Sequence, residues 1–502
     1  MVSGFTKLIL ERGLSSFMFT NLDFLNIGKP WTPDNPAYMR QQENYVTGRL
    51  LYEGNFEQVF GDAWRKIASR YGKNYADIEQ VMIKTNLFRT LTETFKILVF
   101  QKEPEIWVGE GNEAYRLGDK NNKKEDDYPA QKALNILKRA FTSGHVQGDG
   151  VLKVYTNAEG LPDLAVVNAE NWRPVYYPDN LDEIQCHVVA NTYEVDNSTS
   201  FLGIINNSTT KYLNVEIHYR GYYEKRLYLL DKQNIIQKLI KTEREDTGFD
   251  GFTVFPFNYG IPAWRDYGVS AYTDLIPIVD EFVVRLSNNS KILDEHADPQ
   301  PVVTENMLEF NPETGEKVYR RHMTAIYGKN GEVPQYLTWD GNLSSSENQL
   351  TRMLELFYMM SGTNPQLFGQ DIAGNLSGEA LAKILIVPIA KTKEMILSLE
   401  DACEKAFNCM LQLRGIDKTV DIRFDIGQFN SETDITNRVV QEKNAGITSL
   451  KRAVEQINPR YTEKEVTDEL ELIAKDRENE SMTDIDNLFP KDGEEEDDKV
   501  DE

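Results

Sequence analysis

Hydrophobic positions recur on a helical period three times between residues 270 and 415. The first helix is predicted from about Asp274 to Ala297, and it ends at Asp298-Pro299, because a residue before proline is disfavoured in the α region. The second is predicted from about Ser346 to Met360, and the third from Gly378 to Leu413. Pro388 in the third helix removes one backbone donor and is expected to kink it. The apolar residues that recur at helical spacing are Leu275, Val279, Phe282, Leu286 and Leu293 in the first helix, and Leu381, Ile384, Ile396, Leu399, Cys403, Phe407 and Met410 in the third.

The connections between these helices are of two kinds. Residues 298–340 contain strand-like pieces at 301–303, 318–321 and 323–327, which predict a compact β insert. Serines precede the second helix, and their hydroxyls are expected to cap its first turn. Residues 362–377 hold three glycines, one proline and one charge, a composition typical of a loop, and loops of this length are often functional. A long helix pair joined by such an insert cannot bury its whole apolar face alone and is expected to need neighbours.

Upstream, the pattern changes from a period of 3.6 to a period of 2. Helical periods cover residues 41–72, 75–103 and 129–145, while residues 1–40 show no clear period and are expected to form an extended arm. From Gly148 onward, β-rich segments separated by short turns predict an antiparallel meander. Its strands are predicted at 151–155, 164–167, 175–177, 186–190, 212–219 and 225–230.

Downstream of the long helix, Thr419 to Phe424 alternates in polarity and predicts one strand. Helices are predicted at 433–445, 449–457 and 462–477, and the acidic segment after Leu488 is expected to be disordered. Together these elements predict an α+β fold.

The chain is strongly acidic, with a net charge of −25 over 502 residues. Residues 476–502 carry 13 acidic and 3 basic residues, a net of −10, so −15 remains for the preceding 475 residues. Such a surface repels phosphate, so tight non-specific DNA binding is not expected, although DNA could still slide past it. No run of about 18 apolar residues is present, so no membrane span is expected.

The remaining composition points to a reduced cytosolic protein. The three cysteines form no CxxC pair and are interpreted as buried small hydrophobes. Lys7, Glu11 and Arg12 interrupt the apolar N-terminus, so no signal peptide is expected.

Searches for catalytic motifs are negative. No Gly-Lys pair is followed by Ser or Thr, so there is no P-loop, and HExxH, GxSxG and GxGxxG are absent. The five histidines never fall at metal-ligand spacing, so neither a metal nor a cofactor is predicted and the chain is not expected to be an enzyme.

One enzymatic function stays open. The meander is rich in tyrosine, which suggests a soluble oligomeric carbohydrate-active enzyme, although tyrosine is also simply a favoured strand residue.

In its order of elements, the chain resembles the portal proteins of tailed bacteriophages, in particular those of long-tailed siphoviruses that infect Gram-positive hosts. The resemblance runs from the helices near Gln41 to the acidic tail. It rests on four places: Phe255-Pro256-Phe257-Asn258, Ser270 to Pro277, Asn364-Pro365 together with Gly374 to Leu381, and the acidic C-terminus.

The resemblance implies a portal fold with an α/β wing, a two-helix stem, a β-rich clip, a long kinked helix and a helical crown. Its parts would be an N-terminal arm at 1–40, the wing at 41–269, stem helix 1 at 270–297, the clip at 298–340, stem helix 2 at 341–362, the tunnel loop at 363–377, the long kinked helix at 378–414, a wing strand at 415–430, crown helices at 431–488 and a disordered acidic tail at 489–502.

The resemblance also implies partners and a place of action. Members form a ring, a dodecamer in the family, at one capsid vertex of the virion after assembly in the host cytoplasm. Double-stranded DNA passes through the channel during packaging and ejection. The implied partners are the terminase large subunit, the head–tail connector or adaptor, and the major capsid and scaffolding proteins; no membrane is implied. The alternative within a virion is another component, either a connector or a tail protein, although connectors are much shorter chains.

Specific residues can be placed on this plan. Within the tunnel loop, Gln370, Asp371, Asn375 and Ser377 would contact DNA weakly. Gly374, Gly378 and Pro388 would make that loop a flexible lever. In the clip, Arg320 and Arg321 are adjacent basic residues whose side chains would point to opposite faces of a strand, so one of them could meet a docking partner.

Overall fold

A computed structural model gives the fold of the chain. It describes residues 18–33, 35–70, 82–110, 114–117, 128–196, 199–201, 204–206, 209–260, 267–297, 301–302, 309–310, 315, 317–318, 335–336, 343–369, 378–426, 432–458, 461 and 463–488.

Helices and antiparallel strands alternate along these residues, which confirms the α+β class. The helices are α1 (Pro36–Glu53), α2 (Phe56–Arg70), α3 (Leu87–Val99), α4 (Ala130–Gln147), α5 (Ile276–Ala297), α6 (Ser344–Ser361), α7 (Gly378–Leu413), α8 (Glu432–Asn444), α9 (Leu450–Ile457) and α10 (Glu463–Leu488).

The strands are β1 (Glu105–Val108), β2 (Tyr115–Arg116), β3 (Asp149–Thr156), β4 (Pro162–Val167), β5 (Trp172–Tyr177), β6 (Asn180–Asp196), β7 (Thr199–Phe201), β8 (Ile204–Asn206), β9 (Thr209–His218), β10 (Tyr222–Leu230), β11 (Ile236–Asp246), β12 (Val254–Asn258), β13 (Pro301–Val302), β14 (Glu309–Phe310), β15 (Lys317–Val318), β16 (Gln335–Tyr336) and β17 (Val420–Arg423).

The predicted meander forms two antiparallel sheets. The larger has the order β11-β10-β9-β6-β5, and the short hairpin of β7 and β8 lies between β6 and β9 in sequence. The smaller has the order β12-β3-β4. The side chains of neighbouring strand residues point to opposite faces, so Val188 lies in one hydrophobic core and Val189 in another. The second core joins the two sheets, because it also contains Val151 and Val254.

The described part of the N-terminal arm covers the other face of the larger sheet. Phe19 bridges to Val175 on β5, and the stretch at Pro30 bridges to Ile235, just before β11. The arm therefore crosses the sheet from one edge toward the other. Its buried aromatic side chains share a core with β6 and β9, so residues 18–33 pack on the sheet.

A buried arginine holds the arm in place. The Nε of Arg173 donates to the hydroxyl of Tyr38 over 2.9 Å, and its guanidinium carbon lies 4.3 Å from the centre of the Trp31 ring. Contacts of this kind between a guanidinium and an aromatic face are attractive, more so when water is excluded.

Two segments predicted to be helical differ in detail from the structure. The segment at 41–72 contains two helices, because Gly54 adopts φ +85° and ends α1. In the described part of the segment at 75–103, residues 82–86 are not helical and α3 begins at Leu87, where the Asn86 side chain accepts a hydrogen bond from Arg89 N.

Strands that are far apart in the sequence form a small three-stranded sheet. β1 pairs with β17, the strand predicted at 419–424, and β2 pairs with the other edge of β1.

No helix in the described residues combines the length and apolarity needed to cross a membrane.

The chain divides into two compact units. The first comprises Met1–Asp371 and Val387–Ile426, and the second Ile372–Ile386 and Gly427–Glu502. Within the second, α8, α9 and α10 pack in sequence. The buried side chains there include Val439, Val454 and Val466, and Ser449 caps α9 through its hydroxyl.

Candidate functional site

Most of the predicted site residues lie outside the described part of the chain. These are Gln370, Asp371, Gly374, Asn375 and Ser377 of the predicted tunnel loop, and Arg320 and Arg321 of the predicted clip. The predicted strand at 323–327 also lies outside it. Gly378 is the first residue of α7, and Pro388 lies inside that helix, as the sequence predicted. The described elements that flank the predicted tunnel loop are α6 with the residues up to 369, and α7.

Helices α5 and α6 contact one another. Near the start of α6, the Ser346 hydroxyl donates to Asn289 Oδ1 over 2.7 Å. The prediction that serines cap α6 is wrong, because the helix begins at Ser344 after Leu343, which makes no side-chain cap. Ser346 instead joins α6 to α5.

The apolar stripe of α5 is buried at one end only. Val279 and Phe282 are buried, whereas Leu293 is 54% exposed. Large apolar side chains on α6 and α7 are exposed in the same way: Met359 (70%), Met360 (46%), Val387 (59%) and Leu397 (67%). The isolated chain thus leaves helical apolar surface in water, as the sequence pattern predicted.

The residues that follow α6 are closely tied to its last turn. Gly362 adopts φ +69° and caps the helix, and the Ser361 hydroxyl lies 2.6 Å from that of Thr363. The Asn364 side chain then caps a 3-10 turn at 365–368 by accepting from Leu367 N. Phe368 at the end of this turn packs on Tyr358, with ring centres 5.3 Å apart. The segment up to residue 369 is therefore held against α6.

Lys391 on α7 reaches the same point from the other side of the loop. Its Nζ donates to the Ser361 carbonyl oxygen over 2.7 Å, and it lies 5.9 Å from the centre of the Phe95 ring on α3. Burial lowers the pKa of Lys391, while the negative charges of Glu394 and Asp274 act in the opposite direction. Sequence reasoning missed this lysine, since no motif distinguishes it from the others on α7.

One turn around Pro388 is stabilised by a side chain. The Thr392 hydroxyl donates to the Pro388 carbonyl oxygen over 2.7 Å, and Thr392 is fully buried. Hydroxyls that bond back to a helical carbonyl often accompany bends.

Farther along α7, Ser398 donates to the Asn258 carbonyl oxygen over 2.7 Å. The Asn258 side chain in turn donates to Asp149, a fully buried carboxylate that also accepts from Tyr45, Gln41 and Gly268 N. Burial raises the pKa of Asp149 to about 6, although its donors favour the charged form. This network joins the helical and β parts of the predicted wing to the long helix.

The described histidines take structural positions. Burial lowers the pKa of His145 and of His187 to about 3, so both are neutral near pH 7. His145 Nδ1 lies 2.9 Å from the Thr92 hydroxyl, and His187 Nδ1 accepts from Trp172 Nε1 over 3.2 Å. Among the described residues, no group of three or more His, Cys, Asp or Glu side chains could hold a metal ion.

The tyrosines that suggested a carbohydrate platform contact one another or charged groups. Tyr219 stacks on Tyr222 at 4.8 Å, and the Arg244 guanidinium lies 3.7 Å from the Tyr222 ring centre. Tyr193 stacks on Tyr212 at 5.4 Å. These ring faces are occupied within the chain, which favours the interpretation of these tyrosines as strand residues.

A cleft of about 400 Å³ lies between the two sheets. Two ion pairs line it, Lys153 with Glu216 and Lys225 with Glu245, together with Asp246, whose Oδ1 lies 3.9 Å from Nε of Arg244. Burial raises the pKa of Glu216, but the hydrogen bond from His218 and the charge of Lys153 lower it to about 2. Most of the charge that lines the cleft is therefore neutralised within the chain.

Three comparisons relate the chain to known proteins. The model of a family described as phage portal protein, SPP1 Gp6-like, matches residues 35–482. The neck of an empty GTA particle, computed with C6 symmetry, is 12% identical, covers 74% of this chain and 89% of that chain, and has a TM-score of 0.42. The neck of a native GTA particle, computed with C12 symmetry, is 11% identical, covers 74% of this chain and 88% of that chain, and has a TM-score of 0.39. No curated protein sequence matches the chain.

Proposed function

The chain belongs to the SPP1 Gp6-like family of phage portal proteins, and from this premise we propose how its parts serve the passage of DNA. As a portal protein it acts at the portal vertex of a virion, and portal proteins are in general structural and not enzymes. Our proposal is that the subunits form a closed ring around a DNA channel, through which the genome is packaged and later ejected.

The exposed apolar side chains of the stem and long helices are the observation that supports a ring. Contact between such a surface on one subunit and a different surface on the next is heterologous, and a heterologous contact that closes makes a ring. Leu293, Met359 and Leu397 lie on three helices of this region and are 54%, 70% and 67% exposed. Burial of this surface would stabilise the assembly by about 25 cal/mol for each Å² removed from water.

In this proposal, residues 41–269 are the wing, 270–297 and 341–362 the stem, 298–340 the clip, 378–414 the long helix and 431–488 the crown. The clip would meet the terminase large subunit during packaging and the head–tail connector afterwards. The wing and crown would face the major capsid and scaffolding proteins. The order of elements supports these assignments, since helix, β insert, helix, loop and long helix follow one another as the sequence predicted.

Residues 363–377 would be the tunnel loop, with Gln370, Asp371, Asn375 and Ser377 facing DNA. A net charge of −25 over the chain disfavours a tight grip on phosphate, and a weak grip suits DNA that must slide. Gly374, Gly378 and Pro388 would let the loop follow the DNA by small shifts in each subunit. Pro388 lies inside α7, where the missing backbone donor would make bending less costly.

A packaging assay tests the proposed channel. Gly374→Val and Pro388→Ala should leave rings intact by microscopy but reduce the DNase-protected DNA in procapsids, because the first restricts backbone freedom and the second restores a helical donor. Gly160→Val is the matched control, since it forces valine into a positive φ (+79°) in an exposed turn outside the proposed tunnel loop and should leave packaging unchanged. Wild-type packaging in both loop variants would reduce the loop to a passive turn.

A further inference from the structure

We propose that Lys391 is a positioning residue that fastens the C-terminal end of stem helix α6 to the long helix α7. The segment leaving α6 then starts from a point fixed on the long helix. This inference rests on the proposed function, because it assigns a part in DNA passage to a contact between two of the proposed channel elements.

The first argument is the position of the acceptor. Ser361 is the last residue of α6, and its carbonyl is one of the four that an α-helix leaves without a partner inside the helix. Ser361 is 1% exposed, so water cannot easily take the place of the missing partner. The Lys391 ammonium supplies a donor at 2.7 Å, and a cation at the C-terminal end of a helix is also favoured by the helix dipole.

The second argument is the close approach of the two helices at this point. A Cβ added to Gly362 would lie 3.0 Å from Cδ of Lys391, and Gly362 also adopts φ +69°. Glycine is therefore required here both for the turn and for the lysine stem that passes beside it. The aliphatic part of the Lys391 side chain thus passes directly beside Gly362, the residue that caps α6.

The third argument is the balance between the buried charge and the hydrogen bond that it makes. Lys391 is half-buried, and burial lowers its pKa, so the charge is costly where it lies. Loss of the ammonium would take this donor from the buried Ser361 carbonyl, and a buried acceptor left without a partner is destabilising. Lys391 therefore holds the end of α6 through a directed hydrogen bond that an apolar side chain of similar length cannot replace.

Three variants test the inference in the full-length protein. Lys391→Met removes the ammonium, and Lys391→Arg keeps a cationic donor. Lys393→Met is the matched control, because Lys393 is exposed on the same helix two residues away. The amides of Gly362 and Thr363, which donate to Met359 and Tyr358, report on the end of α6 through hydrogen exchange.

The expected result is that Lys391→Met speeds exchange of these two amides by about tenfold, while the melting temperature of the whole protein falls only slightly. DNase-protected DNA in procapsids should fall in the same variant. Lys393→Met should match wild type, and Lys391→Arg should lie closer to wild type than to Lys391→Met.

Two results would overturn the inference. One is equal exchange at Gly362 and Thr363 in Lys391→Met and Lys393→Met. The other is faster exchange with full packaging, which would leave Lys391 a purely structural contact. Failure of the wild-type protein to form rings or package DNA would instead contradict the proposed function, and the exchange measurement would still decide whether Lys391 holds the end of α6.

Discussion

Asn258 joins a buried carboxylate to the long helix. Its side-chain amide donates to Asp149 over 2.6 Å, and its backbone carbonyl accepts from Ser398 on α7. Asp149 is fully buried, and the four donors around it come from three separate parts of the chain: Gln41 and Tyr45 on α1, Asn258 at the end of β12, and the Gly268 amide. Asn258 thus joins this network to the long helix α7.

Asp149→Asn is expected to lower the free energy of unfolding by about 2–4 kcal/mol, because an amide N–H would face donors that now point at a carboxylate oxygen. Chemical denaturation followed by fluorescence measures the change. Asp179→Asn is the control and should change stability by about 0.5 kcal/mol or less, since Asp179 is exposed in a turn. Equal stability of the two variants would contradict a structural role for the Asp149 network.

Acid should destabilise the protein below pH 6.5 because of its buried histidines. The pKa of His145 and of His187 falls from 6.5 to about 3 on folding, so the unfolded chain binds more protons than the folded chain between these pH values. The free energy of unfolding therefore decreases as the pH is lowered through this range. Each histidine contributes up to about 1.4 kcal/mol per pH unit in this range. Asp149, whose pKa is raised to about 6, acts in the opposite direction between about pH 4 and pH 6, but it is one group against two.

Melting temperatures at pH 7 and pH 5 check this prediction. His145→Gln should lose less stability between the two pH values than wild type does, whatever its stability at pH 7. An identical loss in the variant would mean that His145 is not a source of the acid sensitivity.

Removal of residues 491–502 should leave folding and ring formation intact. The segment is acidic and almost without apolar side chains, so it has little hydrophobic surface with which to offset its ordering entropy. A deletion from residue 463 is the control, because it also removes α10 and the buried Val466, and it should lower the melting temperature. A clear loss of stability in the shorter deletion would show that the tail is structural.

Charge reversal of Arg320 and Arg321 should weaken docking of the packaging motor or the connector more than it weakens the fold of the subunit. The reason is that two adjacent basic residues in a chain of net charge −25 are suited to an acidic partner. A pull-down with purified terminase large subunit or connector measures the effect. Reversal of Lys232 and Lys238, exposed in the wing, is the control and should leave binding unchanged.

The sequence predicts best those elements whose apolar residues face a core. The period of α7 continues across Pro388, and Ile396, Leu399, Phe407 and Met410 are buried as the pattern requires. By contrast, β11 is nearly all exposed and polar and forms a strand by pairing with β10, so it has no alternating pattern to find. The break at Gly54 depends on a positive φ that the sequence alone does not reveal.

The candidate site is harder to predict, because its contacts join distant parts of the chain. Lys391 meets Ser361, which lies 30 residues away, and Asp149 meets Asn258, which lies 109 residues away. Neither pair belongs to a motif, and each depends on how helices and strands are arranged in space. The loop residues Gln370 to Ser377 and the pair Arg320 and Arg321 remain predictions from the sequence.

Substitutions on the exposed helical surface test where subunits meet. Met359→Glu and Leu397→Glu should each reduce ring formation while leaving the monomer folded, because both side chains are about two-thirds exposed in the isolated chain and a charge there would have to be desolvated on assembly. Circular dichroism checks the fold, and Lys232→Glu serves as a surface control.

The molar mass of the purified protein in solution tests the central claim most directly. Light scattering combined with electron microscopy should give a mass many times that of one 57.6 kDa chain and a closed ring with a central channel. A mass of one chain across a wide range of concentration, with no rings on the grid, would contradict the account.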